Sequence, residues 1–354
     1  MGSARRPSSL TDVPGFLVGH ATDARGLTGC TVVLCGDGAV PGIDVRGQAS
    51  GLRDAGPCSP GHLVPVVHAL LLSGGSAFGL DAAAGVMTYL ERRGVGFRVR
   101  DARVPIVPAA IIFDLSCGSP RARPTPAMAL RACRAAGSRS VPQGNVGAGT
   151  GASVGKLHGM ERAMKCGLGS ASARLGPAVV GALAVVNAWG DVLDPGDNRI
   201  VAGLRDAPRG RRLVGTSAEI LRRGVRPGGG ASGDTSPRST TLGIVATNVR
   251  LTKPEAESVA RAAHVALARC IAPVWTRYDG DTIFCLARGD VPADPLLVGA
   301  LAIEAMQGAI LRAAREARGA GGLPAARDLV PPSARGTRGA GRGAGALSGR
   351  EPLQ

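Results

Sequence analysis

The feature that most constrains this chain is the junction Ser239-Thr240-Thr241, where the glycine-rich stretch VRPGGGASGDTSPR (Val225 to Arg238) meets the apolar run LGIVATN (Leu242 to Asn248). A stretch with so little to bury stays outside a core, whereas β-branched threonine favours extended backbone. The chain must therefore pass from loop to buried strand within a residue or two, and a strand is predicted from Thr240 to Val249. On these residues alone two readings stay open. Either a loop simply enters a strand, or the chain cuts itself here, because a threonine hydroxyl can attack the carbonyl before it and then use the freed α-amine as its base.

The rest of the chain alternates strand-like and helix-like stretches without a strict βαβ repeat, which favours sheets covered by helices over a doubly wound parallel sheet. Short strands are predicted at Thr31 to Leu34 and Val40 to Val45, the second bent at Pro41-Gly42, with further strand-like blocks at Ala148 to Lys156, Met164 to Leu175, Val179 to Ala188 and Thr282 to Ala287. Val104 to Leu115, interrupted by Pro105 and Pro108, reads as an extended segment at an edge or bend. Helices are predicted at Ser76 to Arg93, with Ser76 as cap and Phe78, Ala82, Val86 and Leu90 on one face, and at Thr125 to Ala136, Ser217 to Arg223, Lys253 to Cys270 and Pro295 to Ala317. Aromatic residues make up only 3% of the chain, so Ala, Val, Leu and Ile must build a core of closely packed layers. Residues 1–11 read as a polar leader, 12–317 as one folded domain, and 318–354 as a disordered, dispensable Gly/Ala/Arg/Pro tail.

A formal charge of +16 invites a nucleic-acid partner, but the basic residues are scattered and no basic stripe alternates with aromatics. The reading is nonspecific attraction to polyanions at low salt and no specific nucleic acid. The eight cysteines form no C-x-x-C pair and the five histidines do not cluster, so no metal site is expected and the thiols read as buried in a reducing compartment. The apolar runs are too short to span a bilayer and the first ten residues lack the apolar centre of a secretory signal; the default expectation is cytoplasmic, with no membrane partner.

Three further segments carry candidate chemistry. GNVGAGTGASVGK (Gly144 to Lys156) fails the phosphate-loop spacing, since Thr150 and Leu157 stand where a glycine and a hydroxyl residue are needed. What remains is a glycine-rich segment delivering Lys156, which is either a surface lysine or a desolvated one able to stabilise an oxyanion. Asn187 ends the apolar run VVGALAVVN and is either a turn residue or an amide donor to an oxyanion. In Asp279-Gly280-Asp281, two carboxylates point to one side if extended and suit orientation or proton transfer at a threonine; a hairpin turn is the other reading.

Together these blocks resemble the DmpA-like aminopeptidase family of L-aminopeptidase/D-esterases, β-peptidyl aminopeptidases and nylon-oligomer hydrolases. The resemblance is carried by SGGSAFGLDAA (Ser73 to Ala83), VPIVPAAIIFDL (Val104 to Leu115), Gly144 to Lys156, ALAVVNAWGDV (Ala182 to Val192), STTLGIVATNVRLTKPEA (Ser239 to Ala256) and DGDTIF (Asp279 to Phe284), in family order from about residue 12 to 317. It implies an α/β fold, a four-layer αββα sandwich of the ornithine-acetyltransferase/DmpA-like N-terminal nucleophile type, and one catalytic domain cleaved into an α chain ending at Ser239 and a β chain starting at Thr240. It further implies Thr240 as nucleophile, Asn187 as oxyanion residue, Lys156 as active-site lysine and Asp279 with Asp281 as the acidic pair. A peptide or small amide substrate, no cofactor, and a homo-oligomer of αβ units complete the expectation. The chain departs from the family at Ser239, where Asn or Gly is usual, and at Phe113, where some members carry tyrosine. An acyltransferase on the same fold and a non-cleaving binding protein are the alternatives.

Overall fold

The computed structural model describes residues 8–225 and 239–329. The first seven residues of the leader, the glycine-rich stretch from residue 226 to 238 and the tail beyond residue 329 lie outside the described residues. The main elements are strands β1 (Leu17–Asp23), β2 (Thr28–Val45), β3 (Leu52–Arg53) and β4 (Val67–Ser73), helix α1 (Ala83–Glu91), strand β5 (Ala109–Ile111), helix α2 (Pro126–Ala135), strands β6 (Leu168–Leu175), β7 (Ala178–Asn187) and β8 (Thr240–Val249), helix α3 (Lys253–Cys270), strand β9 (Thr282–Val291) and helix α4 (Pro295–Arg315). Eight of these nine strands form one hydrogen-bonded path, β6-β7-β8-β9-β2-β4-β5-β3, and β1 pairs with β2 off that path.

The path folds into two stacked sheets because β2 is shared. Its first part pairs with β1 and β4 and its last part, Val40 to Val45, pairs antiparallel with β9. The two predicted short strands are thus one 18-residue strand, and the break in register falls between Leu34 and Ala39 rather than at Pro41-Gly42. Gly36 (φ +62°) and Gly38 (φ +141°) explain this, since only glycine takes such angles without a Cβ penalty.

The central strands β7 and β8 bury both faces, so their sequences are continuous apolar runs rather than alternations. In β7, Val180, Ala182, Ala184 and Val186 face α3 and α4, while Val179, Leu183 and Val185 face the second sheet. Leu242, Ile244, Phe284 and Leu286 meet Val33, Leu70, Leu72 and Ile112 between the sheets. On the far side, Val32, Ala69 and Leu71 pack beneath Val86 and Leu90 of α1 and Ala129 and Ala132 of α2. The layer order is therefore helices, sheet, sheet, helices: the expected four-layer αββα sandwich. The parallel pair β8 and β9 is joined by α3, as a parallel connection requires.

Helix ends follow the sequence closely where caps are strong. Thr252 and Glu255 form a capping box at α3, Thr125 caps α2 through Met128 N, and Asp294 caps α4 through Leu296 N. Several expectations are corrected. The predicted helix from Ser76 begins as a 3-10 segment (Ser76–Ala82) after Gly75, Ser76 does not cap it, and Phe78 stacks on the Arg123 guanidinium at the surface instead of entering the core. The predicted strand at 148–156 is a 3-10 turn (Gly147–Gly149) and the two-residue strand Ser153–Val154, because Gly147 (φ +50°) turns the chain. Ser9, Leu10 and Thr11 of the leader are buried, with Leu10 N donating to Ser170 Oγ at 2.8 Å. Residues 318–329 of the expected tail are folded onto the domain, Pro324 O accepting from Lys165 N at 2.9 Å. By length and composition α4 is apolar enough to cross a membrane, contrary to the sequence reading; Val298, Ala302, Met306, Ala309 and Ile310 spend that apolarity on the core.

Candidate active site

β7 and β8 are neighbouring antiparallel strands of one sheet, and one end of β7 meets the start of β8. The antiparallel register sets Asn187 directly opposite Thr240, so the last residue of one apolar run faces the first residue of the other. Ser239, just outside β8, pairs as an extended residue with Asp279 of the segment leading into β9: its N–H donates to Tyr278 O at 2.9 Å and its carbonyl oxygen accepts from Gly280 N–H at 2.9 Å. The Thr240 hydroxyl donates to that same Ser239 carbonyl oxygen at 2.5 Å. The Thr240 hydroxyl and the preceding carbonyl are thus in contact, and both residues are buried.

Lys156 is not a surface lysine. The turn after Ser153–Val154 carries it inward, where it is 3% exposed and donates to Asn187 O (2.9 Å), Asn187 Oδ1 (2.8 Å) and Ser239 Oγ (3.3 Å). Burial lowers its pKa to about 7, and the Asp279 carboxylate opposes that fall. Asn187 Oδ1 also accepts from Ser153 N, while its Nδ2 donates to the Phe113 carbonyl at 3.1 Å. Position 113 therefore contributes through its main chain, which a phenylalanine supplies as well as a tyrosine.

The two aspartates are both buried but hold different things. Asp279 accepts from Trp189 N (3.1 Å), Thr276 N (3.1 Å) and Thr276 Oγ1 (2.6 Å), and Asp281 accepts from Thr241 N at 2.6 Å. They brace the strands on either side of Thr240, whose hydroxyl in the uncut chain donates to the Ser239 carbonyl. Desolvation raises the pKa of Asp279, and desolvation together with the neighbouring Asp279 charge raises that of Asp281 well above the carboxylate range. Behind them the chain folds close, with Arg46 N donating to Asp281 O and Ala49 N to Asp279 O. A methyl group at Gly280 would lie 2.4 Å from Ala49 O, so only glycine fits between the two aspartates.

Sequence reasoning missed three contributors. Gly280 N–H and Phe113 O act through the main chain, which leaves no side-chain signature. Lys165, fully buried and donating to Ala152 O (2.6 Å) and Cys166 O (3.0 Å), ties together the segments that present Ser153 and Lys156. Its signal was available, since it is one of three lysines among 42 basic residues.

Residues 8–323 match the profile of Peptidase family S58. The chain belongs to peptidase family S58. A protein of Mycobacterium tuberculosis (strain ATCC 25618 / H37Rv) described as an uncharacterized aminopeptidase is 38% identical over 348 residues, covering 92% of this chain and 98% of the relative. A 6-aminohexanoate-oligomer endohydrolase of Kocuria sp. (strain KY2) is 34% identical over 328 residues, 88% of each chain. The solved L-aminopeptidase D-Ala-esterase/amidase of Ochrobactrum anthropi, described as a variant of the Ntn hydrolase fold, superposes with a TM-score of 0.65 at 17% identity over 90% of this chain and 89% of that one. This S58 protein accordingly has the N-terminal nucleophile fold and is a hydrolase of the aminopeptidase/amidohydrolase kind.

Proposed function

We propose that the chain cuts itself between Ser239 and Thr240 and then hydrolyses amide bonds with Thr240 as its N-terminal nucleophile. The observation that carries this reading is the 2.5 Å contact from the Thr240 hydroxyl to the Ser239 carbonyl oxygen, on a carbonyl already held by Gly280 N–H. Thr240 Oγ1 attacks the Ser239 carbonyl carbon, the C–N bond to Thr240 breaks, and the hydroxyl proton ends on the released amine, leaving an ester. Water then cleaves the ester, giving a Ser239 carboxylate, the Thr240 hydroxyl and a free α-amine. Gly280 N–H stabilises the oxyanion of this step.

In the mature enzyme the α-amine, with an ordinary pKa of about 7.7 to 8.0, takes the hydroxyl proton as substrate is attacked. Asn187 gives one amide N–H to Phe113 O and turns the second, beside Gly280 N–H, to the substrate oxyanion. Lys156 sets the field beside it, and Asp279 with Asp281 hold the amine and its strand in place. The relatives are named for an aminopeptidase and for an endohydrolase of an oligomer, and one acyl-forming nucleophile serves both modes of cutting. Peptide or small amide substrates, a homo-oligomer of αβ units and a cytoplasmic site of action belong to the same proposal.

Thr240→Ala should leave the chain whole and remove amide hydrolysis, whereas Thr240→Ser should retain both to a measurable degree. Gel mobility and release of p-nitroaniline from aminoacyl anilides check this, and hydrolysis by Thr240→Ala at the wild-type rate would refute the assignment.

A further inference from the structure

We propose that Ser239 in the uncut chain marks the acyl-residue subsite of the mature enzyme, and that this subsite selects an extended L-residue with a small hydroxyl side chain, L-serine above all. The inference rests on the proposed function, because it uses Thr240 as the nucleophile of both reactions. One hydroxyl must reach both carbonyls, so the carbonyl of a substrate's acyl residue lies beside the place that the Ser239 carbonyl occupies before the cut, displaced only by the non-bonded distance to the freed α-amine.

What holds Ser239 in that place is main chain. Tyr278 O takes its N–H and Gly280 N–H takes its carbonyl oxygen, each at 2.9 Å, which is the clasp a sheet edge offers to any extended residue. The edge is backed rather than free to shift, since Ala49 N donates to Asp279 O and a methyl on Gly280 would strike Ala49 O. Once the Ser239–Thr240 bond is broken and Ser239 withdraws, the same two groups are left to take a substrate residue, whose amine then lies at Tyr278 O.

The side chain is read by Lys156. Ser239 is fully buried, and its Oγ is 3.3 Å from Nζ. The ammonium cannot swing aside without giving up Asn187 O and Asn187 Oδ1, at 2.9 and 2.8 Å. A serine hydroxyl completes the third hydrogen bond of this nitrogen, accepting from it when it is protonated and donating to its lone pair when it is not. A leucine side chain would press on the lysine nitrogen and leave it without that third partner in a buried site. A D-residue clasped by the same two main-chain groups directs its side chain away from Lys156.

The test uses the full-length protein after cleavage between Ser239 and Thr240 has been verified by mass, with L-seryl, L-alanyl, L-leucyl and D-seryl p-nitroanilides as probes. L-Ser should give the highest kcat/KM, about tenfold or more above L-Leu and D-Ser, with L-Ala between. As a second reading of the same subsite, Ser239→Leu should slow self-cleavage about tenfold with the far-ultraviolet circular dichroism unchanged, and Ser239→Thr should restore most of the rate. A cut enzyme that turns over L-Leu or D-Ser as fast as L-Ser, or none of the four, overturns the subsite and leaves self-cleavage standing. A Ser239→Leu chain cut at the wild-type rate overturns the subsite in the same way. A wild-type chain that stays whole removes both.

Discussion

Lysine is scarce in this chain, and each of the three has a specific seat. Lys156 donates to Asn187 and Ser239, Lys165 to Ala152 O and Cys166 O, and Lys253 to the carbonyls of Pro57 (2.8 Å), Ser59 (3.4 Å), His62 (3.1 Å) and Val64 (2.5 Å). A compact ammonium with three rotatable donors fits such carbonyl cages, and a planar guanidinium does not, so these positions resist the arginine bias seen elsewhere. Lys156 also gives a pH signature with a definite sign. Its folded pKa of about 7 lies below the ordinary 10.5, so between these values the unfolded chain keeps a proton that the folded chain has released. Stability from this group therefore rises with pH through that window and is flat below it. With Thr240→Ala as background to keep the chain whole, urea unfolding should show the Lys156 form gaining about 1 to 2 kcal/mol on Lys156→Met between pH 7 and 8.5. The thiols, ordinarily at 9.0 and raised by burial to about 12 in several cases, are the same in both forms and drop out of the difference. Parallel pH profiles for the two forms would show that Lys156 keeps its proton on folding.

At the scale of elements, the small residues decide how closely the helical layer sits on the sheet. Gly169 of β6 lies under α4, where a methyl would stand 2.0 Å from Ala309 O, and Gly42 of β2 lies under α3, where one would stand 2.2 Å from the Ala256 carbonyl carbon. Both contacts are helix backbone on glycine, which no rotamer change relieves. Gly169→Ala should cost about 1 to 3 kcal/mol and lower the melting temperature, while Gly137→Ala, with open space around it, should leave it unchanged. Equal melting temperatures for both variants would mean that α4 rides the sheet without that contact. Elements with strong punctuation were legible in the sequence: α3 runs from Lys253 to Cys270 as read, its start fixed by the Thr252–Glu255 capping box, and β8 opens at the Thr240 junction. Those governed by glycine dihedrals were not. The bend of β2 at Gly36 and Gly38, and the turn at Gly147, depend on φ values that a sequence pattern does not specify. Phe78 misled because helical spacing held while the segment around it wound as 3-10, turning its ring outward onto Arg123.

Over the whole molecule, the site is assembled from four stretches far apart in sequence that meet at one end of a single sheet: the turn carrying Lys156, the end of β7, the start of β8 and the segment before β9. The side chains were legible as types, since Lys156, Asn187, Ser239 and Thr240 converge as the sequence suggested. The division of labour was not, because Gly280 N–H, Tyr278 O and Phe113 O act through atoms every residue has. The two ends of the described domain reinforce this assembly. Leu10 is fixed to Ser170 on β6, and Pro324 takes the N–H of Lys165, so residues that read as leader and tail help hold the site's scaffold. The central claim, that Thr240 breaks the bond before it, is tested most directly by intact mass spectrometry of the freshly purified protein and again after long incubation. Two chains spanning residues 1–239 and 240–354, with threonine at the new N-terminus, are the expected result. A single full-length mass that persists, or a break at any other peptide bond, would contradict it.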